Sequence, residues 1–212
     1  MKEMDLILTA LSEWSPAHYG GFRVNPDAPV IDANNVTVIF NGHKGQILDF
    51  ARVQECFTVE TAVKACSLSD GQADSCPAIQ HGGRFQPDRC SRPCEHSKYK
   101  IRSETETILV SVKIIRDEHD MEKAIRTPLP GRILYYAMPE TVCKKAENRI
   151  PRGVGILEIE GLPTSATISC RREAEPRALN QETQKWLLYS IAQKNQAQLL
   201  DQIKTMQKEL PF

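Results

Sequence analysis

At 212 residues the chain is long enough for one elaborated domain, or one domain plus an appendage, around a real hydrophobic core. Its 27 Lys and Arg balance 27 Asp and Glu, which excludes a surface that is one electrostatic footprint for nucleic acid while leaving a local basic patch open. Seven cysteines, an odd number, and an N-terminal Met1-Lys2-Glu3-Met4-Asp5 without a secretion-signal layout point to a cytoplasmic protein with reduced thiols; no apolar run is long enough to span a bilayer.

Met4, Ile7, Leu8, Leu11 and Trp14 recur at helical spacing and predict a first helix that Ser15-Pro16 ends. Glu13 lies beside this stripe, where it could point toward a site. After a loop at Tyr19-Gly20-Gly21, Val36 to Phe40 predicts a strand, Asn41-Gly42 a hairpin turn, and Gln46 to Val53 a second strand. Asp49 falls inside that apolar run, where a carboxylate is normally paired or bound to a metal. Thr58 to Cys66 reads as a short helix. The stretch from Ser67 to Lys100 is rich in Gly, Pro, Ser, Asp and Cys, and the segment 66–102 reads as an insertion with no core of its own.

Two features of the insertion carry chemistry. Cys76, Cys90, Cys94 and His96, with Cys66 as a further candidate, have the residue types of a tetrahedral zinc site, and Cys90 and Cys94 form a C-x₃-C pair. The four cysteines from Cys66 to Cys94 could instead hold an iron–sulfur cluster, or be free surface thiols. Between His81 and Arg102, six cations (Arg84, Arg89, Arg92, Lys98, Lys100, Arg102) face two acids, Asp88 and Glu95, with Phe85 and Tyr99 interleaved. Such a patch can track phosphates and stack on a base; the alternative is a solvated basic face.

Periodic structure resumes at Ile108 to Ile115, an apolar strand. Alternation puts Val110, Val112 and Ile114 on one face and Ser111, Lys113 and Ile115 on the other. An unpaired buried ammonium is costly, so Lys113 either reaches water at the strand's edge or serves a phosphate or an attacking water. Asp117 to Arg126 predicts a helix stopped by Thr127-Pro128-Leu129-Pro130-Gly131. Arg132 to Pro139, Gly155 to Ile159 and Ala166 to Cys170 predict three more strands, the last two preceded or joined by short connections, and Cys143 and Cys170 read as small core residues. This order of strands and helices indicates an α/β sheet over residues 1–175. His43 and His119 have no visible partners. From Asn180 to Leu210, within the C-terminal segment 180–212, a helix of roughly 40–45 Å is expected at about 1.5 Å per residue. Its thin stripe of Leu188, Ile191, Ala192, Leu199, Ile203, Met206 and Leu210 either packs on its own domain or pairs with another chain.

Asp49, Ser111-Val112-Lys113-Ile114, Asp120, Tyr135-Tyr136-Ala137-Met138-Pro139 and Ile150-Pro151-Arg152-Gly153-Val154-Gly155-Ile156-Leu157-Glu158-Ile159 together resemble the PD-(D/E)xK restriction-endonuclease-like superfamily, nearest its MmcB-like DNA-repair branch. The likeness covers the block from Ile108 to Ile159 well and the first strands loosely. It implies a mixed sheet flanked by helices, acting on DNA as a nuclease that hydrolyses a phosphodiester with Mg²⁺. Asp49 would be the first metal ligand and Lys113 the ammonium that orients water. Ser111 stands where the second carboxylate belongs, and a hydroxyl brings no negative charge. Either Glu13 or Asp120 substitutes for it, or the fold binds DNA or a protein partner without cutting, or the residue has been altered to inactivate an enzyme.

Overall fold

In chain order the computed structural model contains α1 (Glu3–Glu13), β1 (His18–Tyr19), β2 (Phe22–Val24), β3 (Ile31–Thr37), β4 (Ile47–Phe57), β5 (Thr61–Cys66), β6 (Ile79–Gln80), β7 (Arg84–Phe85), β8 (Ser97–Arg102), β9 (Thr105–Ile114), α2 (Glu118–Arg126), β10 (Ile133–Pro139), α3 (Glu140–Ala146), β11 (Gly155–Glu160), β12 (Thr167–Arg172) and α4 (Gln181–Glu209). The structure describes residues 2–37, 47–58, 61–66, 79–80, 84–86, 97–102, 104–127 and 129–209, with backbone alone in β5 to β8 and in α4 beyond residue 200. The chain divides into two units, one of Met1–Cys56 with Glu106–Phe212, the other of Phe57–Thr105. The second unit is wider than the 66–102 expected for the insertion, and α4 belongs to the first.

The first unit is an eight-stranded sheet ordered β1-β2-β4-β9-β10-β11-β12, with β3 also paired to β4. Strands β9, β10 and β11 run parallel, and β12 closes the series antiparallel. Parallel neighbours need crossovers, which α2 and α3 supply. Strands covered on both faces read as continuous apolar runs rather than alternating ones. Accordingly, Ile133 to Met138 are all buried.

Two cores lie on the two faces. On one, α1 sets Ile7 and Leu11 against Val110, Val112, Tyr135 and Leu157. On the other, α2, α3 and α4 set Met121, Cys143, Leu187 and Ile191 against Leu109, Leu134, Tyr136 and Ile156. The alternation expected for Ile108 to Ile115 is the one observed, with Ile108, Val110, Val112 and Ile114 on the α1 face and Leu109 and Ile115 on the other.

Local chemistry accounts for the elements. Asp117 caps α2 by accepting the Asp120 amide at 2.8 Å, and that bond, on the first helical turn, holds its carboxyl below the usual range. Tyr19-Gly20-Gly21, expected as a loop, is the turn of the β1–β2 hairpin, with φ of 52° at Gly20 and 92° at Gly21. A side chain at Gly20 would lie 2.3 Å from the Ala174 carbonyl, so only glycine fits. Helix α3 was expected as a plain connection. Its seven residues are too few to show a period, yet they bury Val142, Cys143 and Ala146. Residues 38–46, with the expected Asn41-Gly42 hairpin turn, lie outside the described residues; β3 begins earlier than the predicted strand.

Helix α4 docks on its own domain. Leu187 and Ile191 are buried, and Asn195 donates to the Asp32 carbonyl of β3 at 2.9 Å. Among the described residues no helix is long and apolar enough to cross a membrane. Cys143 is buried as expected, whereas Cys170 lies exposed on β12. Burial pushes the Cys56 and Cys143 thiols up to about 11.

In the second unit β5 pairs antiparallel with β8, from Thr61 opposite Arg102 to Cys66 opposite Ser97, and β6 pairs with β7. Of the short helix expected at Thr58 to Cys66, the part from Thr61 to Cys66 is a strand instead, as its β-branched Thr61 and Val63 favour.

Candidate functional site

Strands β3 and β4 lose their period of two at one level. Ala33 and Val36 face the same core, and so do Leu48 and Ala51, with Asn35 at φ 53° between the first pair. Asparagine tolerates this left-handed conformation better than most residues. Asp49 sits in the corresponding irregularity of β4. Its Oδ2 accepts the backbone amide of Ile114 at 2.8 Å and lies 2.9 Å from Lys113 Nζ, which also donates to Oδ1 at 3.2 Å. The lysine reaches the Ile47 carbonyl at 3.5 Å as well. The acid and the amine are thus brought together, partly buried, where the start of β4 meets the end of β9.

The other expected partners are elsewhere. Ser111 is completely buried, and its hydroxyl has no hydrogen-bond partner. The backbone of Gly131 presses on it so closely that a Cβ there would lie 2.6 Å from Ser111 Oγ. Asp120, on the first turn of α2, is tied at 3.1 Å to Arg116 just before the helix. Glu13 is exposed at the end of α1, which packs on the opposite face of the sheet from Lys113. Neither acid takes the missing carboxylate's place.

Among the described residues no three His, Cys, Asp or Glu side chains converge in a way that could hold a metal ion. This overturns the expectation of a metal-bearing nuclease architecture. The Mg²⁺ site fails because Asp49 is the one acid at the couple and both its oxygens are already engaged. Metal-dependent hydrolysis, and the nuclease and DNA-repair character tied to it, lose their basis with it. The zinc or iron–sulfur staple is likewise withdrawn: no such cluster is found among the described residues, outside which Cys76, Cys90, Cys94 and His96 lie, and Cys66 is described only as backbone in β5. What stands is a mixed α/β fold whose sheet is flanked by helices and followed by a long C-terminal helix.

The couple is a strut between strands, and its two halves should differ in worth. Asp49→Ala strands the Ile114 amide and the Lys113 ammonium, and is expected to cost about 2–3 kcal/mol, since an orphaned buried donor costs roughly 1–3 kcal/mol. Lys113→Met removes a partly exposed ion pair and is expected to cost no more than about 1 kcal/mol. Urea denaturation of the two variants measures the difference; equal losses would make the ion pair, rather than the amide bond, the dominant tie.

A larger polar network went unnoticed in the sequence. Arg52, 3% exposed, forks onto Asp32 with Nε–Oδ1 of 2.7 Å and Nη2–Oδ2 of 2.8 Å. It also donates to the carbonyls of Leu11, Ser12 and Trp14 and to the Tyr19 hydroxyl, closing the C-terminus of α1. The signal was a second charge inside the apolar run that holds Asp49. Three clefts of the first unit, about 200, 510 and 530 Å³, are lined by residues other than Asp49, Ser111 and Lys113.

Of the six predicted phosphate contacts, Arg89 and Arg92 lie outside the described residues, and Arg84 is in β7. Lys98, Lys100 and Arg102 occupy alternate positions of β8, opposite Ala65, Val63 and Thr61 of β5. They therefore share one face of a two-stranded ribbon, at intervals of roughly 7 Å given a rise of about 3.4 Å per residue. Neither strand contains an acid, and Lys64 adds a fourth cation on the other face.

No family model matches this chain, and no curated protein matches it. A solved structure from Silicibacter pomeroyi, a protein of unknown function, is similar over 100% of this chain and 98% of its own, with a TM-score of 0.48 and 10% identity.

Proposed function

We propose that this protein is a non-catalytic module that binds nucleic acid through the basic β5–β8 ribbon. The observation that carries this reading is the register of Lys98, Lys100 and Arg102 on one face of a ribbon free of acids. A two-stranded antiparallel ribbon is one of the shapes the major groove of a duplex admits. Lysines and arginines in a row neutralise successive phosphates and release their counterions. The α/β unit supports the non-catalytic half of the reading: the Asp49 carboxylate is consumed by Lys113 and Ile114, and Ser111 supplies no second acid. The likeness to nuclease folds then describes a scaffold rather than an activity. A reducing, cytoplasmic setting belongs to this reading, in keeping with the odd count of seven cysteines in the sequence.

Fluorescence anisotropy with a short labelled duplex and its single strand tests it. Affinity should fall steeply between about 50 and 200 mM salt. The triple variant Lys98→Ala, Lys100→Ala, Arg102→Ala should bind at least about tenfold more weakly, with the salt slope reduced by roughly 2.7 for three lost phosphate contacts. Unchanged binding by the triple variant, or no binding by the wild type at low salt, overturns the proposal. Plasmid cleavage by the wild type that vanishes in Lys113→Met overturns its non-catalytic half.

A further inference from the structure

We infer that α4 pairs antiparallel with α4 of a second copy of this chain. The helix has two different faces. Leu187 and Ile191 are buried against the domain, while Trp186 is 49% exposed, Tyr189 56%, Leu199 51% and Leu200 50%. At about 100° per residue, Trp186, Tyr189, Gln193, Gln196 and Leu200 lie on the side opposite the buried pair. Trp186, Tyr189 and Leu200, half-exposed and concentrated on that one side, form a continuous apolar patch, whereas Leu199 lies about 80° round the helix from Tyr189, beside the cleft shared with α1 and β3.

Their spacing names the partner. Trp186, Tyr189, Gln193, Gln196, Leu200 and the backbone position of Ile203 follow one another at intervals of three and four, the seam of a helix that pairs with another helix. Antiparallel pairing brings Tyr189 opposite Leu200, Trp186 opposite the position of Ile203, and Gln193 opposite Gln196. Apolar residues then meet apolar ones, and the two central amides, each both donor and acceptor, meet each other. The flanks agree: Ala192 falls beside Leu199 and Ser190 beside Ala197, so no like charges are opposed. A parallel, in-register pairing would instead stack the bulky Trp186 on Trp186.

The seam is also preformed. Trp186 and Tyr189 are in edge contact with centroids 6.2 Å apart, and Gln193 holds the Tyr189 hydroxyl at 2.7 Å. The sheet of the first unit lies on the far side of α4, so the sheets of two copies joined this way are kept apart by two helix diameters, about 20 Å. A fully buried aromatic covers about 150–250 Å². With about half of each ring already covered, the seam falls short of the roughly 1,200 Å² of a standard stable interface, which makes the dimer a weak, concentration-dependent one.

Sedimentation equilibrium of the full chain from low to high micromolar concentration tests the inference. The wild type should pass from monomer to dimer across that range, and Trp186→Glu and Tyr189→Glu should remain monomeric with unchanged circular dichroism. The double variant Tyr189→Glu, Leu200→Lys should regain the dimer, because only antiparallel pairing sets position 189 against position 200. A wild type that stays monomeric throughout, or dimers that survive both glutamate variants, overturns the seam. Failure of the double variant to recover overturns the orientation. Nucleic-acid binding by the ribbon is measured separately and stands or falls on its own.

Discussion

Arg52→Ala is expected to lower the stability of the protein by about 3–5 kcal/mol, the usual cost of removing one partner from a buried ion pair. Three losses coincide at this residue. Asp32, 24% exposed, is left without the guanidinium that occupies both its oxygens. The partly buried carbonyls of Leu11, Ser12 and Trp14 at the end of α1 lose their shared donor. The cation also leaves the Phe50 ring, which lies 5.5 Å from it. Arg52→Lys should recover little, because an ammonium cannot fork onto Asp32 and reach the helix end at once. Natural domains are stable by only about 5–15 kcal/mol, so the alanine variant should have a urea midpoint far below that of the wild type. A loss below about 1 kcal/mol would mean the network behaves like a surface pair, and its structural role would have to be abandoned.

The same residue shows what the sequence conveyed and what it did not. Period alone revealed α1, α2, β4, the two faces of β9 and the buried run of β10, because each is long enough to repeat its pattern. It missed α3, whose seven residues barely complete two turns, and it mistook β5 for a helix although its β-branched residues spoke for a strand. Charges were harder. Asp49 and Arg52 stand three residues apart in one strand, and both demanded partners, but the partners come from β9 and β3 and no local pattern names them. The sequence pattern that resembles PD-(D/E)xK nucleases led to Asp49 and Lys113, which do meet. It could not reveal that the Ile114 amide shares Asp49 Oδ2 with Lys113, or that Ser111 faces the backbone of Gly131 rather than a cleft. Residue types suited to metal were present in number; convergence is a property of the tertiary fold, and among the described residues it is absent.

Ser111→Asp, which restores the residue type of the nuclease pattern, should damage the fold rather than complete a site. Position 111 has no accessible surface and no hydrogen-bond partner, and the space above it is filled by Gly131. A carboxylate there is both too large and unpaired, and a buried charge left uncompensated costs about 3–5 kcal/mol. The pH dependence has a definite sign. Desolvation raises the folded-state pKa of the new carboxyl above its unfolded value of about 3.9, so folding favours the protonated form. The variant should therefore come closest to wild-type stability below about pH 4 and lose ground as pH rises toward its folded pKa. Ser111→Ala should be nearly neutral, since it removes a hydroxyl that has no partner, and is expected to change stability by less than about 1 kcal/mol. Thermal unfolding of the three proteins from pH 4 to pH 8 separates the cases. If the aspartate variant matched the wild type across that range, position 111 would have to open to water, and the interior packing of β9 against Gly131 would be wrong.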